Sequence, residues 1–440
     1  MVLNKALPGL GIAAFFAAAA AILCTLPGAA LPGVLGMGLV LSAAFFGALA
    51  VLRPEPGKAL YFTAVPAALL LLARLFFFPV ETSDFRDFLL PWTERLRALG
   101  GFRGLGREIG NYNVPYMVLL VLFSYLKTPA LYLIKLSSVL FELLQAVVLA
   151  LLVRRLGGGK GRVSLCFVLA LALPTVFLNS AVWGQCDSVY VSLALLGFYL
   201  CLAERPGWGM AALGLSFAFK LQAVFLLPAV LLLLFAGKVK WFHLPLFPAA
   251  YALAVSPALI AGRSAGDTFL FYLRTASTAG SALNYNSPSL FSLYRFYWMD
   301  EAAKEAAARM GILAAFGLCL LVFVLFFLRR KAITLRSLLF AVVLFTLGIP
   351  LLLPHMHDRY FYFCDVLTLC AACLVPCFSP AVLLSQFASL LGYHAYFYLR
   401  YLLPMRLGFL ALCAVFLAAM FLCARELIHP PADESVRSEE

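Results

Sequence analysis

Four short stretches of this chain place acids, amides, histidines and cations where apolar runs stop or break. "ETSDFRDFLLPW" carries Asp84 and Asp87, three residues apart, just past a long hydrophobic run. A partly desolvated carboxylate at such a boundary can take a proton from a hydroxyl, although the same residue type also serves as a plain loop or helix cap. "SAVWGQCDS" sets Trp183, Gln185 and Asp187 between two apolar runs, a ring, an amide and a carboxylate of the kind that holds a sugar. An interfacial aromatic belt with a cap is the plainer reading of the same residues. "PHMHDRY" brings His355, His357, Asp358 and Arg359 together. His-x-His with Asp offers metal ligands, but at a helix start the rings point apart, and no second His motif exists. The favoured chemistry is a phosphate held by Arg359 and a histidine; an Asp358–Arg359 structural pair is the alternative. In "FAFKLQAVFLLP", Lys220 and Gln222 interrupt an apolar stretch; a lysine at membrane depth marks function unless it snorkels to the interface.

The elements that must position these residues follow from composition. The chain has 440 residues, 64% hydrophobic and only 12% charged, against about half and about a quarter in soluble domains. A bilayer core of about 30 Å needs roughly 20 apolar residues per helix, and by that measure the chain reads as about 14 spans. They fall near 8–27, 31–52, 59–79, 129–153, 164–179, 187–203, 207–219, 221–236, 242–262, 309–328, 335–353, 360–378, 380–399 and 407–424. The pair covering 207–236 reads either as one tilted helix or as two short ones meeting at Lys220. The N-terminus resembles a signal peptide but reads better as an uncleaved first span. The expected fold is an all-α polytopic bundle, a single domain over 1–425 with a disordered cytoplasmic tail over 426–440.

The net charge of +13 comes from short basic clusters between spans, so no nucleic-acid partner is expected. Arg53/Lys58, Arg154/Arg155/Lys160/Arg162, Lys238/Lys240 and Arg329/Arg330/Lys331/Arg336 are assigned to the cytoplasm, as are both termini. The segment 113–127 is short for a crossing and reads as interfacial or re-entrant. With this orientation the loops 80–112 and 263–308 and all four chemical stretches share the extracytoplasmic face. The first loop should form an amphipathic surface helix around Leu89–Leu99. Polar and aromatic residues in both loops are acceptor or loop candidates: Asn111, Tyr112 and Asn113, then Asn284, Tyr285 and Asn286. "GGFRGLG" and "GGGKGR" lack the spacing of nucleotide or phosphate loops. Eleven cysteines show no paired CxxC pattern, and Glu142 with Gln145 reads as a contact between helices.

The order of acidic first loop, "GNYNVPY", "VWGQCDS", "FKLQAVFLLP" and "HMHDRYF" resembles bacterial membrane glycosyltransferases of the GT-C fold, relatives of the eukaryotic GPI mannosyltransferases. The resemblance implies a polyprenyl-phosphate-linked sugar donor, mannose above others, and an extracytoplasmic glycan, lipid or protein acceptor. It implies inversion at the plasma membrane of a bacterium. Asp84 is then the presumed base with Asp87 second, and His355, His357, Asp358, Arg359 and Lys220 lie near the donor phosphate. Neither cofactor nor metal is expected, with a divalent cation left open. A glycan polymerase or ligase and a lipid-linked-sugar flippase are the competing readings; polar motifs gathered at one face, without internal repeats, weigh against a transporter.

Overall fold

A computed structural model describes residues 3–277, 282–293 and 299–430. The chain is almost entirely helical. The first third holds α1 (Leu3–Cys24), α2 (Leu31–Leu52), α3 (Lys58–Leu75), α4 (Leu90–Ala98), α5 (Val114–Ser124) and α6 (Ala130–Arg155). The middle holds α7 (Lys160–Ala172), α8 (Pro174–Phe177), α9 (Asp187–Leu202), α10 (Pro206–Phe219), α11 (Pro228–Phe235), α12 (Leu246–Ile260), α13 (Ala265–Phe269) and α14 (Phe271–Ser277). The last part holds α15 (Glu301–Leu328), α16 (Leu335–Leu352), α17 (Tyr362–Leu374), α18 (Ser379–Tyr398) and α19 (Met405–Ile428). Helices dominate because backbone polar groups in lipid must be satisfied within the segment itself.

Among the described residues seven helices are long and apolar enough to cross a membrane, or eight if α7 and the segment after Pro174 form one bent span. That is fewer than the fourteen or so stretches expected. Part of the difference lies in short helices: α9, α10, α11 and α17 have 16, 14, 8 and 13 residues, below the roughly 20 a crossing needs. α9 and α17 are mostly buried in the bundle, so their apolarity answers to protein neighbours. The 11 residues of α5 are likewise too few to cross. The 207–236 stretch is broken, α10 ending where Lys220 takes an extended backbone (φ −153°, ψ 134°).

Two boundaries shift from expectation. α15 begins at Glu301, eight residues before its apolar run, because "EAAKEAAA" is strongly helix-forming and Asp300 Oδ1 caps it, accepting from Ala303 N at 2.7 Å. α19 continues to Ile428 with Glu426 and Leu427 buried, so the chain is still helical past 425; residues 431–440 of the expected tail lie outside the described residues.

The bundle interior holds a fully buried ion pair. Arg74 of α3 meets Glu142 of α6 with Nε 3.0 Å from each carboxylate oxygen, and Ser180 Oγ donates to Oε2 at 2.5 Å. The remaining guanidinium protons reach the carbonyls of Leu70 and Leu171, each at 2.6 Å. This is the contact expected of Glu142, and its cation is an arginine inside the third apolar run. Breaking such a pair leaves an uncompensated buried charge. Arg74→Ala or Glu142→Ala should therefore cost about 3–5 kcal/mol. The loss would be read as a lower unfolding midpoint in detergent, and Arg74→Leu with Glu142→Leu should recover most of it.

Candidate active site

Asp84 is placed from two sides. On its own side, buried Lys135 of α6 donates Nζ to the carbonyls of Phe77 (2.7 Å) and Val80 (2.5 Å), fixing the chain that leaves α3. Thr82 Oγ1 then donates to the Trp183 carbonyl at 3.3 Å, and Asp84 opens a π-helical turn over Phe85–Leu89. On the other side, Pro174 bends the α7 run by 50°, since proline cannot continue the helical ladder. The chain passes through α8 and a second π-helical turn, Leu178–Trp183, and Gly184 turns it with φ +76°, a left-handed conformation that favours glycine. Gln185 and Asp187 are thereby delivered to the start of α9.

Around Asp84 the hydrogen bonds converge. Its Oδ2 accepts from Trp183 Nε1 at 2.8 Å and from Gln185 Nε2 at 2.5 Å. Its backbone N–H donates to the Tyr396 hydroxyl at 3.2 Å, and that hydroxyl also bonds Ser83 Oγ at 2.9 Å. Tyr396 stacks on the Trp183 ring at 3.9 Å between centroids, and the Arg359 guanidinium sits 5.3 Å from the same ring. Gln185 Oε1 accepts from the Tyr112 hydroxyl at 3.1 Å. Burial raises the Tyr112 hydroxyl well above its ordinary range, which keeps it a donor. Asp87 is solvent-exposed, so the geometry distinguishes the two acids.

Asp187 is fully buried and works as a counter-charge. Oδ2 accepts from Asn179 Nδ2 at 2.9 Å and lies 3.6 Å from Arg359 Nε, while Lys220 Nζ donates to Oδ1. Lys220 and Arg359 share this carboxylate, and Asp358 Oδ1 lies 3.5 Å from Arg359 Nη1, so one positive charge is left over while Asp358 holds its proton. That surplus faces a cavity of about 360 Å³ whose lining includes Lys220, Arg359, His355, His357, Tyr112 and Asn111, and contains no carboxylate.

His355 and His357 precede no helix directly. Met356 and His357 form a short strand paired in parallel with Asn284 and Tyr285, because the second loop folds onto this segment. His355 Nδ1 bonds the Ala282 carbonyl at 2.8 Å, and His357 stacks on Tyr285 at 4.6 Å. Among the described residues no three of His, Cys, Asp and Glu gather as a metal site. Burial, with Arg359 and Lys220 nearby, pushes the His357 imidazole down to about 3, so it meets an anion as a neutral ring. Burial pushes Asp358 up to about 7 against the lowering effect of Arg359, whose Nη1 lies 3.5 Å from its Oδ1.

The other candidates take these places. Trp183 is 1% exposed with a face covered by Tyr396, so it cannot stack on a sugar; it positions Asp84 and Arg359. Gln185 and Asp187 are buried as well, Gln185 bonded to Asp84 and Asp187 to Lys220 and Asn179. Asn284 closes its own turn through Ser287 (2.7 and 2.9 Å), Asn286 accepts from Tyr401 at 2.6 Å, and Asn113 caps α5 through Val114 N at 2.8 Å. Asn111, Tyr112 and Tyr285 line the cavity, as does Asn113. Tyr396 and Asn179 were not singled out in the sequence; the only signal for Tyr396 is its i,i+3 spacing from Tyr393 on α18, which puts both against Trp183.

Apolar helices with almost no strand make an all-helical polytopic membrane protein, and a carboxylate set against cations at its helix ends suits the membrane glycosyltransferase class. More particularly, the model of Glycosyltransferase family 87 matches residues 111–354, over half of the chain, and the chain belongs to that GT-C-like membrane family. No curated protein and no solved structure matches the chain. The matched stretch contains Tyr112, Trp183, Gln185, Asp187 and Lys220; Asp84 and His355–Arg359 lie outside it.

The raised Asp358 carboxyl has a signed consequence. Its neighbours are Arg359, Asp84 and Asp187. Between about 4, where an unfolded aspartate loses its proton, and about 7, the folded protein retains that proton. Stability from this group is thus greatest at low pH and is lost as pH rises through that window. Asp358→Asn should flatten the fall in thermal midpoint between about pH 4 and about pH 7.

Proposed function

We propose that this family 87 glycosyltransferase moves a single sugar, mannose by its resemblance, from a polyprenyl-phosphate donor to an acceptor hydroxyl. The reaction inverts the anomeric centre on the extracytoplasmic face of a bacterial plasma membrane. The acceptor oxygen attacks the anomeric carbon and gives its proton to Asp84 Oδ1, the oxygen left free while Trp183 and Gln185 hold Oδ2. The bond from anomeric carbon to phosphate oxygen breaks, its electron pair staying on the lipid phosphate. Arg359, with Lys220 behind it, receives that charge.

The observation that carries this reading is that Asp84 and Arg359 meet on one indole, beside a cavity lined by cations without acids. A base and an anion site separated by a single ring suit an attack and a departure on opposite sides of one sugar carbon. The isoprenoid would lie in the bilayer along the bundle. Purified enzyme supplied with polyprenyl-phosphate-mannose and an acceptor panel tests it. Asp84→Asn should lose roughly 10²–10⁴-fold in kcat at saturating acceptor, the usual worth of a general base, and Asp87→Asn should lose far less in kcat. Equal activity in wild type and Asp84→Asn would remove the base assignment.

A further inference from the structure

The donor cavity accounts for one substrate only. The face beside Asp84 continues along the first external helix as Phe88 and Trp92, one turn apart. Phe88 is 47% exposed and Trp92 half-buried, their centroids 5.9 Å apart. The Trp92 ring meets the edge of Tyr112 at 5.5 Å, and Tyr112 is the residue that hydrogen-bonds Gln185, the holder of Asp84. Trp92 is also seated by the backbone. Gly110 takes φ +69°, and a Cβ there would come within 2.3 Å of the indole, so only glycine allows the ring to lie where it does. A ring merely dipping into lipid needs no such seat. Exposed Asp87 stands on the same turn as Phe88, and exposed Asn111 joins the far end of the row to the cavity.

We infer that Phe88 and Trp92 form the acceptor subsite, and that the acceptor is a saccharide. Aromatic faces take the apolar C–H side of a pyranose, while Asp87 and Asn111 offer hydrogen bonds to its hydroxyls. A sugar laid on this row presents a hydroxyl toward Asp84, with the donor on the other side of Tyr112 and Gln185. This rests on the transferase reading above and narrows its acceptor from glycan, lipid or protein to a glycan.

The test uses purified full-length enzyme in nanodiscs, polyprenyl-phosphate-mannose, and a panel of methyl glycosides and disaccharides beside a phospholipid and a peptide. Michaelis constants are measured for each substrate separately in wild type, Trp92→Ala, Trp92→Phe and Phe88→Leu. The inference expects transfer to glycosides. It also expects a tenfold or larger rise in acceptor KM for Trp92→Ala, an unchanged donor KM, and substantial recovery in Trp92→Phe. Should Trp92→Ala fail to fold, Phe88→Leu carries the same expectation at a smaller factor. Transfer only to phospholipid or peptide, or an unchanged acceptor KM in the folded variants, overturns it. Full transfer by Asp84→Asn, or none by wild type from this donor, overturns the reading beneath instead, so the two failures are distinct.

Discussion

The site depends on one buried carboxylate holding two cations. Asp187, at the start of α9, has no solvent exposure, and Lys220, Arg359 and Asn179 close on it from three other segments. Taking those charges out of water costs several kcal/mol per ion, and only the mutual attraction and the hydrogen bonds offset it. The arrangement also dictates where α10 must stop, because the extended backbone at Lys220 is what turns that side chain toward Asp187. The amide end of α9 adds a favourable partial charge to the carboxylate. With Asp358, also beside Arg359, pushed up to about 7 and so protonated below that pH, what remains is a surplus positive charge, desolvated and fixed before any ligand arrives.

Trp183 joins this charge cluster to Asp84. Its indole N–H is spent on Asp84, and the Arg359 guanidinium lies against its ring. Tyr396 and Tyr393 pack on the same ring from α18, so a helix late in the chain holds a residue from the middle against an acid from the first loop. Such a brace fixes the separation of base and anion site, which a displacement at one carbon requires. The Arg74–Glu142 pair serves the same end one layer deeper, tying α3 and α6 to the turn that carries Trp183.

Much of this was legible from residue types alone. Basic loops and apolar run lengths implied the helical membrane bundle, and the cations and histidines at the run ends line one cavity, with Asp84 and Asp187 held behind it. Roles were harder to read than positions. Trp183 looks like a sugar platform in sequence because nothing local shows that Tyr396, more than two hundred residues later, covers it. Arg74 lies inside an apolar run, where a charge demands a partner that the sequence does not name. His355 and His357 read as the start of a helix because "HDRYFYF" runs into α17, while the strand they form depends on a distant stretch, Asn284–Tyr285. An apolar segment that faces protein in place of lipid reads as a span all the same: α9 has the expected bounds within a residue but is short for a crossing, and α17 is shorter than the apolar run 360–378.

The central claim is that Asp187 leaves one fixed positive charge for a lipid phosphate, apart from the base. Binding of a short-chain polyprenyl phosphate, the proposed leaving group, tests it without any chemistry or acceptor. Calorimetry on detergent-solubilised wild type, Arg359→Met and Asp84→Asn should show affinity at least tenfold weaker in Arg359→Met and unchanged in Asp84→Asn. Wild-type affinity in Arg359→Met would contradict the account.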